Sequence, residues 1–291
     1  MSWRVVVIKS KSKLDYKMDY LVVRNEENVT RVHLSEIGVL MIESTAVSLT
    51  SYLLSELIRK KIKVVFCDEK CNPVSELCSL YGCYDTSRKI REQISWKDDT
   101  KALVWAEIVR AKIRGQISNL SPCLHREISL MKSYAEQIEA GDITNREGHS
   151  AKVYFNALFG KDFSRSDDNV INSALNYGYG VVLSAFNREI VSNGYLTQLG
   201  IFHSNSFNYF NLSCDFMEPF RPYVDRLVIN LKLTKFEHEE KMKILNVLND
   251  TVRIANQNQY MLNAIHIYVQ SLFEALNEND ISKIKNPCYE L

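Results

Sequence analysis

The 291-residue sequence has no long hydrophobic run and almost no net charge. The apolar stretch at residues 3–8 is interrupted by Arg4 and is too short for the core of a secretory signal. No other stretch approaches the roughly 20 apolar residues that a membrane-spanning helix needs. A formal net charge of +1 gives no general attraction to nucleic acid. The sequence therefore predicts a cytoplasmic protein without membrane contact.

Internal repeats, low-complexity tracts and a dominant residue type are also absent. The hydrophobic share of 46% and the charged share of 24% are ordinary for a globular protein, which excludes a disordered chain. The length suits two domains, each able to bury a core of its own.

The seven cysteines lack the pattern of a disulfide framework or of a structural zinc site. Their number is odd, and the spacings among Cys67, Cys71, Cys78 and Cys83 differ from the paired short spacings of zinc knuckles. We therefore expect buried free thiols in a reducing compartment.

A change of pattern near residue 85 divides the chain. Before it, residues 3–9, 20–24 and 29–34 alternate as strands do, and residues 25–28 form a turn between the last two. One helix follows at about residues 48–61, and residues 62–67 again have strand character.

Helical patterns dominate from about residue 96, with polar caps and breaks. They cover residues 101–118, 125–140, 146–159, 167–193 and 237–275. We therefore expect an α+β protein with a small β-rich N-terminal domain at residues 1–85, a linker at residues 86–96, and a larger all-α C-terminal domain at residues 97–291.

Basic side chains outnumber acids between residues 88 and 126. A stripe of this kind can neutralise phosphates, but a solvated helix face is the commoner explanation. The basic residues are Arg88, Lys89, Arg91, Lys97, Lys101, Arg110, Lys112, Arg114 and Arg126.

Glu147 begins an apolar stripe on the predicted helix at residues 146–159. With Thr144 as N-cap, it would be the N3 member of a capping box, which explains the acid without a function. Glu147 also shares a face with Ala151 and Tyr154, and burying a carboxylate there is costly unless a cation or hydrogen bonds meet it. Both interpretations stay open.

Two further places are candidates for chemistry. A lone histidine that follows an apolar pair, as His203 does, is more often a hydrogen-bonded core or surface group than a ligand, although imidazole is also a frequent metal ligand. Gly200 before it permits close backbone approach. Asp215 and Glu218 fit a second capping box, but their i, i+3 spacing also places both carboxylates on one side of a helical turn. Carboxylates and imidazole together suit Mg²⁺ or Mn²⁺ better than zinc.

Four segments taken together are similar to a known family. They read REGHSAKVYF at 146–155, NSALNYGY at 172–179, LGIFH at 199–203 and DFMEPFRPYVD at 215–225. This order resembles the CRISPR-associated integrase family, the first Cas protein and the catalytic subunit of spacer acquisition. The run at 207–212 looks most like the type II branch. Many members of the family have aspartate at the position of Glu218.

The resemblance implies that Glu147, His203 and Glu218 bind a catalytic Mg²⁺ or Mn²⁺ ion, with Asp215 as a neighbouring acid or alternate ligand. Four basic residues that are close to these in sequence are candidates for phosphate contacts. They are Arg146, Lys152, Arg221 and Arg226.

The resemblance also implies a function and partners. The chain would join the 3′-hydroxyl ends of a captured DNA fragment to the CRISPR repeat by transesterification. It would act as a homodimer, through the N-terminal domain, with a second, small dimeric Cas protein as a bridge and other type II adaptation proteins as further partners. Two alternatives are a structure-selective nuclease on branched DNA and a non-catalytic helical DNA-binding scaffold whose acids are only helix caps.

Overall fold

The computed structural model of the chain describes residues 4–77, 79 and 83–289. The chain divides into two compact units, Met1–Gly82 and Cys83–Leu291. Cys78, one of the clustered cysteines, lies outside the described residues. The structure mixes helices and strands, and the smaller unit is rich in strands.

In its described residues, the first unit contains two four-stranded sheets, one α-helix and a 3₁₀ turn at Leu34–Glu36. Its elements are β1 (Arg4–Ile8), β2 (Ser12–Lys17), β3 (Tyr20–Arg24), β4 (Val29–His33), β5 (Ile37–Ile42), β6 (Val47–Leu49), α1 (Ser51–Arg59), β7 (Lys63–Cys67) and β8 (Pro73–Leu77).

The two sheets of this unit differ in strand direction. In the order β1-β5-β7-β8, the first three strands are parallel and β8 is antiparallel. In the order β4-β3-β2-β6, the first three are antiparallel and β6 is parallel to β2. Every residue of β5 is buried, as its unbroken apolar run predicts for a central strand. The predicted hairpin of residues 20–34 is confirmed, since β3 pairs with β4.

The second unit is mostly helical. Its elements are α2 (Thr86–Ile94), α3 (Asp98–Ser118), α4 (His125–Glu136), α5 (Arg146–Phe159), α6 (Val170–Ser192), α7 (Asn211–Met217), α8 (Arg221–Leu231), α9 (His238–Leu245), β9 (Thr251–Ile254), β10 (Gln257–Tyr260) and α10 (Met261–Glu278), with a 3₁₀ turn at Glu218–Phe220 between α7 and α8.

The prediction of an all-α second domain is wrong at residues 251–260, where β9 and β10 form an antiparallel hairpin. Val252 and Ile254 are buried and alternate with exposed side chains, which is the period of a strand. Ala255 and Asn256 both have left-handed backbone, as a tight two-residue hairpin turn requires.

The predicted linker at residues 86–96 is instead mostly helical and belongs to the second unit. Its Gln93 side chain is buried, donates to the carbonyls of Leu196 and Leu199, and accepts from the Leu196 N–H. These hydrogen bonds satisfy the buried amide of Gln93. They hold the polar segment 86–96, which has no strong hydrophobic periodicity, against residues 196–199.

The expectation of buried thiols holds only in part. Cys67 is buried and Cys71, Cys83 and Cys214 are half-buried, whereas Cys123 and Cys288 are exposed. Among the described residues, no helix combines the length and the apolar character needed to cross a membrane.

Candidate functional site

Glu147 lies in the first turn of α5, but it does not cap that helix. The N-cap is Asn145, whose Oδ1 accepts the Gly148 N–H at 3.2 Å, so the predicted box with Thr144 is not formed. Asp142 instead accepts the N–H groups of Arg146 and Glu147 at 2.8 and 2.9 Å. The Glu147 carboxylate is therefore available for a contact away from its own helix.

Asp215 and Glu218 do not form a capping box either. Asp215 is inside α7 and fully buried, and Glu218 begins the 3₁₀ turn that follows. Pro219 and Pro222 lie in the first turns of the 3₁₀ segment and of α8, where a missing N–H is tolerated. The chain thus changes direction in short helical steps, and the interpretation of these acids as caps is wrong.

Glu147 and Glu218 meet at the side chain of Lys112. Lys112 Nζ is 2.5 Å from Glu147 Oε1 and 2.5 Å from Glu218 Oε2. Arg221 Nε is 3.0 Å from Glu218 Oε1. Two acids from separate segments therefore share a buried region with two cations.

Burial and charge act in opposite directions on these groups. Burial disfavours ionised Glu218, but the charges of Arg221 and Lys112 outweigh it, so the pKa of Glu218 is lowered. Burial likewise disfavours the Lys112 ammonium, but Glu218 and Glu147 raise the pKa of Lys112. Glu218 therefore stays ionised and Lys112 stays charged at neutral pH.

Asp215 organises the loop that carries His203. Its Oδ2 accepts the N–H groups of Ile201 at 2.7 Å and Phe202 at 3.0 Å, and its Oδ1 accepts the His203 N–H at 3.1 Å. The His203 Nδ1–H also donates to Oδ1, and this hydrogen bond raises the pKa of His203. Because a carboxylate can only accept, Nδ1 carries the proton and the lone pair of neutral His203 is on Nε2.

Gly200 allows the backbone of this loop to approach Asp215. A Cβ at this position would be 2.3 Å from the His203 carbonyl oxygen and 2.7 Å from Asp215 Oδ2. No side chain fits at that distance, so the close approach inferred from the sequence is confirmed.

Trp105 of α3 supports the same loop. Its ring stacks on Phe202 with centroids 4.2 Å apart and planes inclined by 6°, and the His203 ring lies edge-on at 5.7 Å. Lys112 is seven residues further along α3 and therefore on the same face. One helix thus contacts both acids and the histidine loop.

The three predicted metal ligands lie in one region, but their donor atoms are not close enough together to share one ion. Glu218 and Glu147 both raise the pKa of His203 through their charge. Within the described ranges, however, the donor atoms of Glu147, His203 and Glu218 do not all lie within 4.8 Å of one another. A shared ion would require these side chains to move closer together.

The four predicted phosphate contacts have different surroundings. Arg221 pairs with Glu218 and lies 4.6 Å over the Tyr179 ring, and Arg146 lies over the Tyr134 ring. Lys152 is exposed on α5. Arg226 is exposed on α8, with its guanidinium over the Tyr223 ring.

Sequence reasoning missed Lys112 and Trp105. The basic stripe at residues 88–126 favours a solvated side chain for Lys112, but Lys112 is only 8% exposed. The signal was present, because Ile108 and Val109 precede it by four and three residues and place it on an apolar face.

Comparison with known proteins identifies relatives along most of the chain. A family model described as "CRISPR associated protein Cas1" matches residues 5–254. The CRISPR-associated endonuclease Cas1 of Neisseria meningitidis serogroup C (strain 8013) is 32% identical over 295 residues, covering 99% of this chain and 96% of the relative. The CRISPR-associated endonuclease Cas1 1 of Pyrobaculum aerophilum is 29% identical over 240 residues, covering 75% of this chain and 78% of the relative.

Solved structures share the fold at lower identity. A casposase bound to integration product gives a TM-score of 0.76 at 19% identity, covering 96% of this chain and 91% of that chain. A CAS1 protein from Thermotoga maritima gives 0.71 at 17%, covering 94% and 97%. A chain of a "Cas6-RT-Cas1--Cas2 complex" gives 0.72 at 17%, covering 99% of this chain and 36% of that chain.

Proposed function

Because the chain belongs to the CRISPR-associated Cas1 family, we propose that it is a divalent-metal-dependent DNA endonuclease and integrase of CRISPR adaptation. The observation that carries the proposal is the meeting of Glu147 and Glu218 at one buried cation, beside His203. The names of the relatives support it, since two are called endonucleases and the solved casposase is bound to an integration product.

The donor groups fit Mg²⁺ or Mn²⁺. Glu218 Oε2 is buried and has no hydrogen bond of acceptable geometry, although Lys112 Nζ is near. His203 has its Nδ1 engaged by Asp215, which leaves Nε2 for a ligand. Glu147, Glu218 and His203 would hold the ion, and Asp215 would orient the imidazole. Carboxylate oxygens with an imidazole nitrogen match the preferences of these cations.

The proposed reaction exchanges one phosphodiester bond for another. A bound divalent ion would offset charge on the scissile phosphate and help activate the attacking hydroxyl. The 3′ oxygen of the captured fragment forms a bond to phosphorus, and the bond from phosphorus to the 3′ oxygen of the repeat strand breaks. The attacking hydroxyl loses a proton and the departing oxygen gains one, so no high-energy cofactor is consumed.

The chain's own residues would orient the DNA and keep the site charged. Arg221 holds Glu218 ionised, which makes it a poorer candidate for a direct phosphate contact. Lys152 is exposed on the helix of Glu147 and is the better candidate. Arg146 and Arg226 remain candidates.

The proposed assembly is a homodimer that binds a small dimeric Cas protein. The likeness to chains solved in complexes named Cas6-RT-Cas1--Cas2 supports the second part, and the homodimer follows from the resemblance alone. Light scattering of the purified chain, alone and mixed with a purified Cas2 protein, tests both parts. A monomer that does not change mass on mixing would contradict them.

A joining and cutting assay tests the reaction. We expect Mn²⁺-dependent joining of a 3′-ended DNA fragment to a repeat duplex, reduced at least about 100-fold by Glu147→Ala, His203→Ala or Glu218→Ala. Glu127→Ala, in the first turn of neighbouring α4, is the matched control and should keep activity.

The alternatives give other results in the same assay. Cutting of branched DNA without joining would favour a structure-selective nuclease. Activity that none of the three substitutions changes, or no activity in any protein, would favour a DNA-binding scaffold.

A further inference from the structure

One face of α3 carries a ladder of polar contacts to α5. Lys112, Gln116 and Asn119 follow the i, i+4, i+7 spacing of a helix face. Each reaches a different turn of α5, so the two helices are held in one register. The pairs are Lys112 Nζ with Glu147 Oε1 at 2.5 Å, Gln116 Oε1 with the Ser150 hydroxyl at 3.1 Å, and Asn119 Nδ2 with the Tyr154 hydroxyl at 2.9 Å.

The same face of α3 also contacts the segment that carries the second acid. Lys112 Nζ pairs with Glu218 Oε2 at 2.5 Å, and Asn119 Nδ2 donates to the Pro222 carbonyl at 2.8 Å. Lys112 and Asn119 therefore both tie the two acid-bearing segments to α3, and Lys112 does so through the acids themselves.

The charges of Lys112, Glu147 and Glu218 stabilise one another. Lys112 is 8% exposed and Glu218 is 3% exposed, so neither charge is well solvated. Without a cation between them, the carboxylates of Glu147 and Glu218 would repel each other at short range. Removing one partner of a buried ion pair is strongly destabilising because it leaves the other charge uncompensated.

We propose that Lys112 is a positioning residue with two effects. Its ammonium keeps Glu147 and Glu218 together while no metal is bound, and it competes with the divalent ion for the same carboxylate oxygens. The second effect rests on the proposed function, whereas the first does not. An ion that takes these oxygens must push the ammonium away, because two cations repel each other.

The first effect is tested in EDTA by thermal unfolding. We expect Lys112→Met to lower Tm by about 10 °C. In the double variant with Glu147→Gln, the decrease in Tm should be smaller than the sum of the two single decreases, because the carboxylate that Lys112→Met leaves unpaired has been removed. Lys241→Met is the matched control: Lys241 is also 8% exposed, lies on α9, and should combine additively with Glu147→Gln. Additive losses for Lys112→Met would overturn the first effect.

The second effect is tested by Mn²⁺ titration followed by electron paramagnetic resonance. We expect Lys112→Met to bind Mn²⁺ about tenfold more tightly than the wild type, and Lys241→Met to bind as the wild type does. Unchanged or weaker binding by Lys112→Met would overturn the competition. A wild type that binds no Mn²⁺ would refute both the proposed metal site and the competition, but the result in EDTA would still decide the first effect.

A measurement on the wild type covers the case in which Lys112→Met does not fold. In ¹⁵N-lysine spectra, the Lys112 ammonium signal should shift or broaden when Mg²⁺ saturates the protein, while the Lys241 signal stays in place. Lys112→Arg assigns the signal by its loss. A Lys112 signal that Mg²⁺ leaves unchanged would overturn the competition.

Discussion

Replacing Asp215 with asparagine should flip the tautomer of His203. The Asp215 carboxylate accepts three backbone N–H groups and the His203 Nδ1–H. If the asparagine oxygen keeps the bonds from Ile201 and Phe202, its NH₂ group faces the His203 N–H and Nδ1. Nδ1 can accept from that NH₂ only if the proton moves to Nε2, which then has no lone pair for an ion.

The cost in stability follows from the same geometry. One buried N–H is left without an acceptor, at about 1–3 kcal/mol, and the remaining bonds lose the extra strength that a charged acceptor gives. Relief from burying a charge offsets part of this, so we expect a loss of about 3 kcal/mol in the free energy of unfolding. Mn²⁺ affinity should fall about 10- to 100-fold, as is typical when the partner of a ligand histidine is removed.

Three measurements check this prediction. Urea unfolding in EDTA gives the stability, Mn²⁺ titration gives the affinity, and long-range ¹⁵N NMR of the imidazole reports which nitrogen carries the proton. The pKa of His203 should also fall, because its hydrogen bond to the carboxylate raises it in the wild type. Asp225→Asn, at another fully buried acid, is the control and should leave the tautomer unchanged. Wild-type stability and Mn²⁺ affinity in Asp215→Asn would refute the reasoning.

Two further substitutions test the packing around the site. Gly200→Ala places a Cβ 2.3 Å from the His203 carbonyl oxygen, so it should lower the free energy of unfolding by about 1–3 kcal/mol and abolish DNA joining. Gly180→Ala is the control and should be neutral or stabilising, because nothing lies within 4 Å of its new Cβ. Equal effects of the two substitutions in urea unfolding and joining assays would contradict this prediction. Burial raises the pKa of Asp225 from 3.8 to about 6 despite the hydrogen bond from Tyr179, so its proton stabilises the fold below pH 3.8 and this contribution is lost as pH rises through 6. The pKa of Asp225 differs by about 2 between the folded and unfolded states, and each pKa unit corresponds to about 1.4 kcal/mol. Between pH 4 and pH 7, the free energy of unfolding of Asp225→Asn, measured in urea, should therefore rise by about 3 kcal/mol relative to that of the wild type. A difference between the two proteins that does not change with pH would contradict this prediction.

Local patterns predicted the elements that are stabilised locally. The turn at residues 25–28 and the alternation on both sides of it were sufficient for the β3–β4 hairpin. The helix of Glu147 was likewise predicted from its periodicity and begins at Arg146.

Features that depend on distant residues could not be predicted in the same way. The buried state of Lys112 depends on acids 35 and 106 residues away, and α2 is docked through the amide of Gln93. A short sequence window around Lys112 or Gln93 does not contain the residues that these side chains contact, so the burial of Lys112 and the docking of α2 depend on tertiary contacts.

Because Trp105 and Lys112 are both on α3, the helix fixes the distance between the side chain that contacts the loop of His203 and the side chain that contacts the two acids. Seven residues of helix place the two side chains on one face, about 10 Å apart along the axis. Inserting a single alanine between them would rotate one relative to the other by about 100°. The loop that carries His203 and the two acids would then turn away from each other, although no residue of the loop and neither acid had been altered.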